Sequence, residues 1–300
     1  MSKNRLVYGF VSLGMLAALT ACGVEGSPAE EENEETNNAN EIEEIVGIDP
    51  GSGTMDMAER TMDTYDLDIN LRSSSEAAMV AELEEAIGNQ EPIVVTFWEP
   101  HWAFNEYDLE FLEDPQEAMG QSENIHTMVR EGLEDEDDSA YQLLDNFHWE
   151  IEDMNEVMLQ AREDDVEFRE AAAEWIESNR DEVDAWLEDI EPVENETIEL
   201  AYVNWETETA STNVVALVLE ELGYDVELTT VEMGVAFQSL ADGDVDGMLI
   251  AWLPVGAASY YEQFEDEIVD LGPNLEGAQQ GFVVPGYMDI DSIEDLQDAE

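Results

Sequence analysis

Basic residues are scarce in this sequence. Eight lysines and arginines stand against 77 aspartates and glutamates in 300 residues, and the formal net charge is −69. Such a surface repels nucleic acid phosphates and anionic headgroups, so we expect no nucleic acid partner. Its self-repulsion also destabilises the compact state in dilute buffer, whereas a Debye length of about 3 Å at 1 M salt screens most of that repulsion. We therefore expect adaptation to a saline medium, with structure lost at low salt.

Signatures of metal binding and catalysis are missing. The segment 242–247 imitates the opening of an EF-hand loop, but Leu253 stands where a bidentate glutamate is required. His101, His126 and His148 show no metal-ligand spacing with one another or with cysteine. The sequence contains no nucleophile elbow and no phosphate-binding Gly-Lys-Ser/Thr loop. We therefore predict no metal, no cofactor, no catalytic residue and no enzyme. A nucleic-acid mimic and a bulk calcium binder remain alternatives, but neither requires the ordered segments described below.

Cysteine is nearly absent, and the single Cys22 permits no intramolecular disulfide. It ends a segment in which Lys3 and Arg5 precede an apolar stretch, residues 6–19, that is too short for a transmembrane helix. This order is typical of an export signal. The sequence Leu19-Thr20-Ala21-Cys22 resembles the lipobox of bacterial lipoproteins. That resemblance implies a signal peptide at residues 1–21, lipidation of Cys22, and attachment to the outer face of the cell membrane.

The remaining chain changes character near residue 44. Residues 22–43 are rich in Glu and Asn, which is typical of a disordered tether. Beyond them, short β-branched runs alternate with amphipathic helical stretches, which predicts an α/β fold with mainly parallel sheets in two lobes. The predicted strands are 44–48, 67–71, 92–98, 198–203, 226–231, 247–252 and 281–284. The predicted helices are 75–87, 138–147, 151–162, 166–178, 180–187, 211–222, 235–241 and one from 257 onward.

Three tryptophans stand at the ends of predicted strands: Trp98, Trp205 and Trp252. The carboxyl ends of strands in open parallel sheets form the crevice where ligands bind, so these indoles are candidates to converge there. A trimethylammonium group has no N–H to donate and is best held by aromatic faces, at about 0.5–2 kcal/mol per contact. Ordinary core packing is the alternative for all three. We expect the other four tryptophans, Trp102, Trp149, Trp175 and Trp186, to be structural.

From residue 45 to the C-terminus the chain resembles the glycine betaine binding proteins of osmoprotectant ABC importers. The resemblance rests on these segments: Ile48-Asp49-Pro50-Gly51-Ser52-Gly53, Trp98-Glu99-Pro100-His101-Trp102, Asp145-Asn146-Phe147-His148-Trp149, Ala201-Tyr202-Val203-Asn204-Trp205, Ala251-Trp252-Leu253-Pro254 and Val283-Val284-Pro285-Gly286-Tyr287. It implies a two-lobed, type II periplasmic-binding-protein-like fold with the ligand between lobes. Trp98, Trp205 and Trp252 would cage the ammonium, and the backbone N–H groups of Gly53 and Thr54 would receive the carboxylate.

The order of the segments is reversed relative to many relatives, so the chain looks like a circularly permuted branch, which surface termini tolerate. We expect lobe A at 44–126 plus 285–300 and lobe B at 127–284. A second departure is Ala257, where close relatives carry a histidine that helps to hold the carboxylate.

The resemblance implies a monomer that delivers a zwitterionic ligand to an ABC permease with its ATPase. Because Ala257 has no donor, a binding protein for choline, carnitine or a sulfonium osmolyte is an alternative. An extracellular hydrolase and an acidic surface-structural protein are alternatives of another class.

Overall fold

The computed structural model describes residues 42–120 and 122–298. The predicted signal peptide, Cys22 and the predicted tether up to residue 41 lie outside the described residues. Within the two ranges, no helix has the length and apolar character needed to cross a bilayer.

Helices and strands alternate along most of the described chain. The α-helices are α1 Gly53–Tyr65, α2 Glu76–Asn89, α3 Ala103–Glu106, α4 Leu133–Glu136, α5 Asp138–Asn146, α6 Ile151–Glu163, α7 Phe168–Ser178, α8 Arg180–Trp186, α9 Glu206–Leu222, α10 Met233–Asp242 and α11 Ala258–Phe264. The strands are β1 Glu44–Val46, β2 Asn70–Arg72, β3 Val94–Glu99, β4 Leu109–Phe111, β5 Glu123–Arg130, β6 Thr197–Tyr202, β7 Asp225–Thr230, β8 Gly247–Leu253 and β9 Ile268–Pro285. A 3-10 helix, Ile293–Asp298, follows β9. The predicted α/β class is confirmed.

The strands form a sheet in the order β2-β1-β3-β9-β5-β8-β6-β7, with β4 also paired to β9. The long strand β9 divides it: residues 279–285 pair with β3 and β4, and residues 268–278 pair with β5. We call β2, β1, β3, β4 and residues 279–285 the first half-sheet. Residues 268–278 with β5, β8, β6 and β7 are the second half-sheet. The fold is thus two α/β lobes that share one strand.

Apolar cores explain why helices cover each half-sheet. In the first, α1 and the 3-10 helix bury Met57, Tyr65 and Ile293 with Ile45 and Phe282 of the sheet. A larger core includes the second half-sheet, the long helix α9 and the helical block α5–α8. Burying such side chains contributes about 1.5–3 kcal/mol each. This block was predicted as nearly all helical from about residue 138 to 188, and the structure confirms it.

The expectation of mainly parallel sheets is wrong at the centre of the molecule. Strands β1–β3 and β6–β8 pair in parallel, but β9 runs antiparallel to β3 and β5, and β5 runs antiparallel to β8. The sequence did not reveal β9 because of the irregularities in residues 268–285. Gly272 and Gly277 have positive φ there, and the β5–β9 register shifts at bulges. Glycine and proline inside a strand mark such bulges and mimic a loop in sequence. The predicted lobe boundaries fall within β5 and at the end of β9, and they stay a prediction.

Candidate ligand-binding site

All five residues predicted to contact the ligand line one cavity. The space between its walls that no atom fills is about 320 Å³, which includes space open to solvent. Its walls are Ile48, Gly53, Thr54, Trp98, Trp205, Thr207, Glu208, Met233, Trp252, Gly256 and Gln280. The first half-sheet and the helices on it supply Gly53, Thr54 and Trp98, whereas the second supplies Trp205 and Trp252. The cavity therefore lies between the two lobes, as expected for a ligand that both lobes enclose.

Each tryptophan reaches the cavity from a different element. Trp98 is near the end of β3 and lies directly opposite Gln280 of β9, so the two side chains share one face of the sheet. Trp205 is the N-cap residue of α9, just beyond β6, and Trp252 is in the fully buried strand β8. Their exposed fractions are 3%, 8% and 5%. All three predicted strand-end indoles therefore meet where the strands end.

Hydrogen bonds fix the orientation of two of these rings. The indole Nε1 of Trp205 donates to Asp49 Oδ2 at 3.0 Å, and that of Trp252 donates to Glu208 Oε1 at 3.1 Å. The ring centroids of Trp98 and Trp205 are 6.4 Å apart, and the ring planes are tilted by 44°. The N–H edges of Trp205 and Trp252 are thus turned to carboxylates. That the three rings cage an ammonium group stays a prediction.

The first turn of α1 forms another part of the cavity wall. Ser52 is its N-cap and its hydroxyl accepts from the Met55 backbone N–H at 3.3 Å. Within the described ranges, the backbone N–H groups of Gly53 and Thr54 donate to no protein acceptor. Free N–H groups at the positive end of a helix dipole attract an anion. A Cβ on Gly53 would overlap the carbonyl of Gly256 from the other lobe, so the backbones touch here only because Gly53 has no side chain.

A chain of hydrogen bonds borders the first turn of α1. The Thr54 hydroxyl donates to Gln280 Oε1, and Gln280 Nε2 donates to Glu123 Oε2 at 2.7 Å. Glu123 Oε1 accepts from the backbone N–H groups of Val255 and Gly256 at 2.9 and 2.7 Å. The Thr54 hydroxyl is therefore engaged as a donor. Ala257 is fully buried and does not line the cavity.

Glu208 is a cavity residue that sequence reasoning missed. It is buried in the first turn of α9, and its carboxylate accepts from the Thr207 hydroxyl at 2.7 Å as well as from Trp252. Burial raises the pKa of Glu208 to about 7, although both hydrogen bonds oppose the shift. Its position three residues after Trp205 was a signal, but with 77 acidic residues in the chain that signal was too weak.

A second buried cluster lies between the lobes and was also missed. His101 Nε2 is 3.3 Å from Glu76 Oε1, and Glu206 completes a group whose ligand atoms lie within 4.8 Å of one another. The backbone N–H of Ala103 donates to His101 Nδ1 at 3.1 Å, so the neutral ring carries its proton on Nε2. That tautomer offers no lone pair to a metal. Among the described residues, neither His101 Nε2 nor Glu76 Oε1 forms a hydrogen bond. Burial lowers the pKa of His101 to about 4 and raises that of Glu76 to about 8.

Comparison with known families identifies the type of protein. The model of the OpuAC family, the substrate binding domain of ABC-type glycine betaine transport systems, matches residues 31–178 and 196–300. The chain belongs to the OpuAC family. This family is one of substrate-binding components of transport systems and not of enzymes, so the predicted family and the absence of an enzymatic role are both confirmed.

Relatives in the OpuAC family include the glycine betaine/carnitine transport binding protein GbuC of Listeria monocytogenes, 43% identical over 298 residues, which are 98% of each chain. Lactococcal OpuAC, solved in its closed-liganded conformation with glycine betaine, is 46% identical over 48% of this chain and 57% of that chain, with a TM-score of 0.47. A glycine betaine/L-proline-binding protein (ProX) from Borrelia burgdorferi is 34% identical over 54% of this chain and 62% of that one, with a TM-score of 0.49.

Proposed function

We propose that this protein captures glycine betaine, or a related quaternary-ammonium solute, between its two lobes and delivers it to the permease of an ABC importer. The ammonium group occupies the cage of Trp98, Trp205 and Trp252. The carboxylate faces the backbone N–H groups of Gly53 and Thr54. Membership of the OpuAC family and the name of the Listeria relative support the ligand class.

One observation carries the proposal: three indoles and the first turn of α1, far apart in sequence, line a single cavity. The aromatic rings suit the ammonium group of a zwitterion, and the free backbone N–H groups suit its carboxylate. Each aromatic contact with a desolvated cation contributes about 0.5–2 kcal/mol, so three contacts contribute about 1.5–6 kcal/mol to the binding free energy. The charged ends of the ligand are thus matched without a basic side chain.

The cellular setting belongs to the same proposal. The protein works outside the cytoplasmic membrane, held there by lipidated Cys22 through the acidic tether, and presents its ligand as a monomer. In membrane fractions of cells that express the full chain, a Cys22→Ser variant is expected to move to the soluble extracytoplasmic fraction. Retention of that variant on the membrane would contradict the anchor.

Titration calorimetry at about 2 M NaCl, where surface repulsion is screened, tests the ligand. We expect saturable heat with glycine betaine, and we would compare carnitine, choline and dimethylsulfoniopropionate in the same buffer. Tighter binding of choline than of glycine betaine would replace the proposed ligand by the alternative without an anionic group. No heat with any of the four would contradict capture of quaternary-ammonium and sulfonium solutes altogether.

A further inference from the structure

Gln280 holds an unusual place in the cavity wall. It comes from the segment of β9 that joins the two half-sheets, directly opposite Trp98. Among the described residues that line the cavity, none is Lys, Arg or His, and Gln280 is the one side chain there with amide N–H donors. A methyl group on the neighbouring Gly256 would lie 2.5 Å from Gln280 Nε2. The amide nitrogen therefore lies in the cavity wall near Gly53 and Thr54.

The orientation of this amide is fixed by its partners. Oε1 accepts from the Thr54 hydroxyl, and Nε2 donates to Glu123 Oε2 at 2.7 Å. Rotating the amide by half a turn would place Oε1 against the Glu123 carboxylate, and two acceptors cannot form a hydrogen bond. Glu123 is itself held by the backbone N–H groups of Val255 and Gly256. Glu123 is the one acceptor of Nε2 among the described residues, so the second N–H on that nitrogen is left to donate.

We propose that Gln280 is the specificity-determining side chain at the anionic end of the ligand, an inference that rests on the proposed function. Its second N–H donates to the ligand carboxylate. Glu123 is a positioning residue that keeps the nitrogen on the cavity side. A donor to a carboxylate makes a charge-assisted bond, which is about twice as strong as one to a neutral hydroxyl. Gln280 therefore favours glycine betaine over choline, which differs at this end by a hydroxyl in place of the carboxylate.

The test is a Gln280→Met variant, which keeps the length and apolar part of the side chain and removes both amide groups. Calorimetry at high salt should show glycine betaine weakened by about ten- to 150-fold and choline by about two- to tenfold. The ratio of the two dissociation constants is the readout, since a general loss of the cavity would weaken both ligands alike. A loss for glycine betaine no larger than that for choline overturns the proposal.

Gln279→Met is the matched control. Gln279 is the preceding residue on β9, it is exposed and it does not line the cavity, so both affinities should stay within about twofold of the parent protein. If Gln280→Met does not fold, Thr54→Val removes the hydroxyl that orients the amide but keeps the backbone N–H. It should lower glycine betaine affinity several-fold and spare choline, and equal effects on both would again overturn the role. Failure of the parent protein to bind either ligand would instead refute the proposed function.

Discussion

Two groups of tryptophans in this protein share a residue type and differ in how they are held. Trp149, Trp175 and Trp186 pack with Phe147, with neighbouring ring centroids 5.1–5.9 Å apart. Within the described part of the chain, none of the three indole N–H groups has a hydrogen-bond partner. In the cavity, the indole N–H of Trp205 donates to Asp49 and that of Trp252 donates to Glu208. The ring centroids of Trp98 and Trp205 are 6.4 Å apart.

The difference shows two ways of fixing an indole. In the helical group, ring contacts fill the space on every side, so packing alone determines the position of each ring. In the cavity, hydrogen bonds from the polar edge fix the positions of Trp205 and Trp252. Burial alone does not distinguish the groups, because all six side chains are at least nine-tenths buried. Trp98 is held differently from the other two cavity tryptophans: its Nε1 has no partner among the described residues, and its ring stacks on Phe97 at 5.3 Å.

Trp175→Ala should give the largest effect and mark the packed group as structural. Removing a fully buried indole from that group is expected to lower the free energy of unfolding by about 3–5 kcal/mol. The affinity of the remaining folded protein for glycine betaine should not change. Denaturant titration and calorimetry at high salt measure the two quantities. A large loss of affinity with little loss of stability would reverse our assignment of the two groups.

Trp205→Ala should show the opposite balance. Loss of one desolvated aromatic face is expected to weaken glycine betaine about 30-fold or more, which corresponds to about 2 kcal/mol. The loss of unfolding free energy should be smaller than for Trp175→Ala, because this ring borders a cavity rather than a filled core. The same two measurements apply. An unchanged dissociation constant would remove Trp205 from the cage.

Glu208 should make binding depend on pH, since burial raises its pKa to about 7. A cation in the cage favours the ionised carboxylate, so binding to the protonated form must first release a proton. Affinity should therefore rise as the pH increases through about 7 and level off above it, by at most tenfold per pH unit. Calorimetry in buffers with different ionisation enthalpies should detect the released proton. Glu208→Gln should abolish both effects, and their persistence in that variant would assign them to another group.

Asp49→Asn should give the smallest effect of the four. The asparagine oxygen can still accept from Trp205, but the bond is no longer charge-assisted, and about 1 kcal/mol or a few-fold loss of affinity is expected. Asp63→Asn is the matched control, because Asp63 is exposed on α1 and its replacement removes one charge without touching a tryptophan. Equal changes in both variants would mean that net charge, and not the orientation of the ring, is responsible.

Elements with a continuous local pattern were predictable from sequence. Strand β8 was predicted at 247–252 and is observed at Gly247–Leu253, because both of its faces are buried and the run is apolar throughout. Helix α6 was predicted within one residue. The start of α9 was placed at residue 211 instead of Glu206, since the first turn contains Thr and Glu residues that face the cavity and break the apolar periodicity. Helix α1 and strand β5 were not predicted.

The site was predictable in its aromatic part and not in its polar part. Trp98 and Trp252 lie near the ends of β3 and β8, and Trp205 follows β6. These strands can be recognised locally, and the fold brings such ends together. Gln280 and Glu123 carry no local signal. Gln280 contacts Thr54, which is 226 residues away in sequence. Strand β9, which contains Gln280, includes glycines with positive φ, and these make its sequence resemble that of a loop. Only the antiparallel centre of the sheet, which sequence reasoning missed, places that glutamine in the wall.

The close approach of the two lobes at Gly53 and Gly256 depends on the absence of a methyl group on Gly53. An alanine at position 53 would overlap the carbonyl of Gly256 and would hold the two lobes apart beside the first turn of α1. Such a variant would keep its fold and its cavity tryptophans, but its two lobes would not close fully.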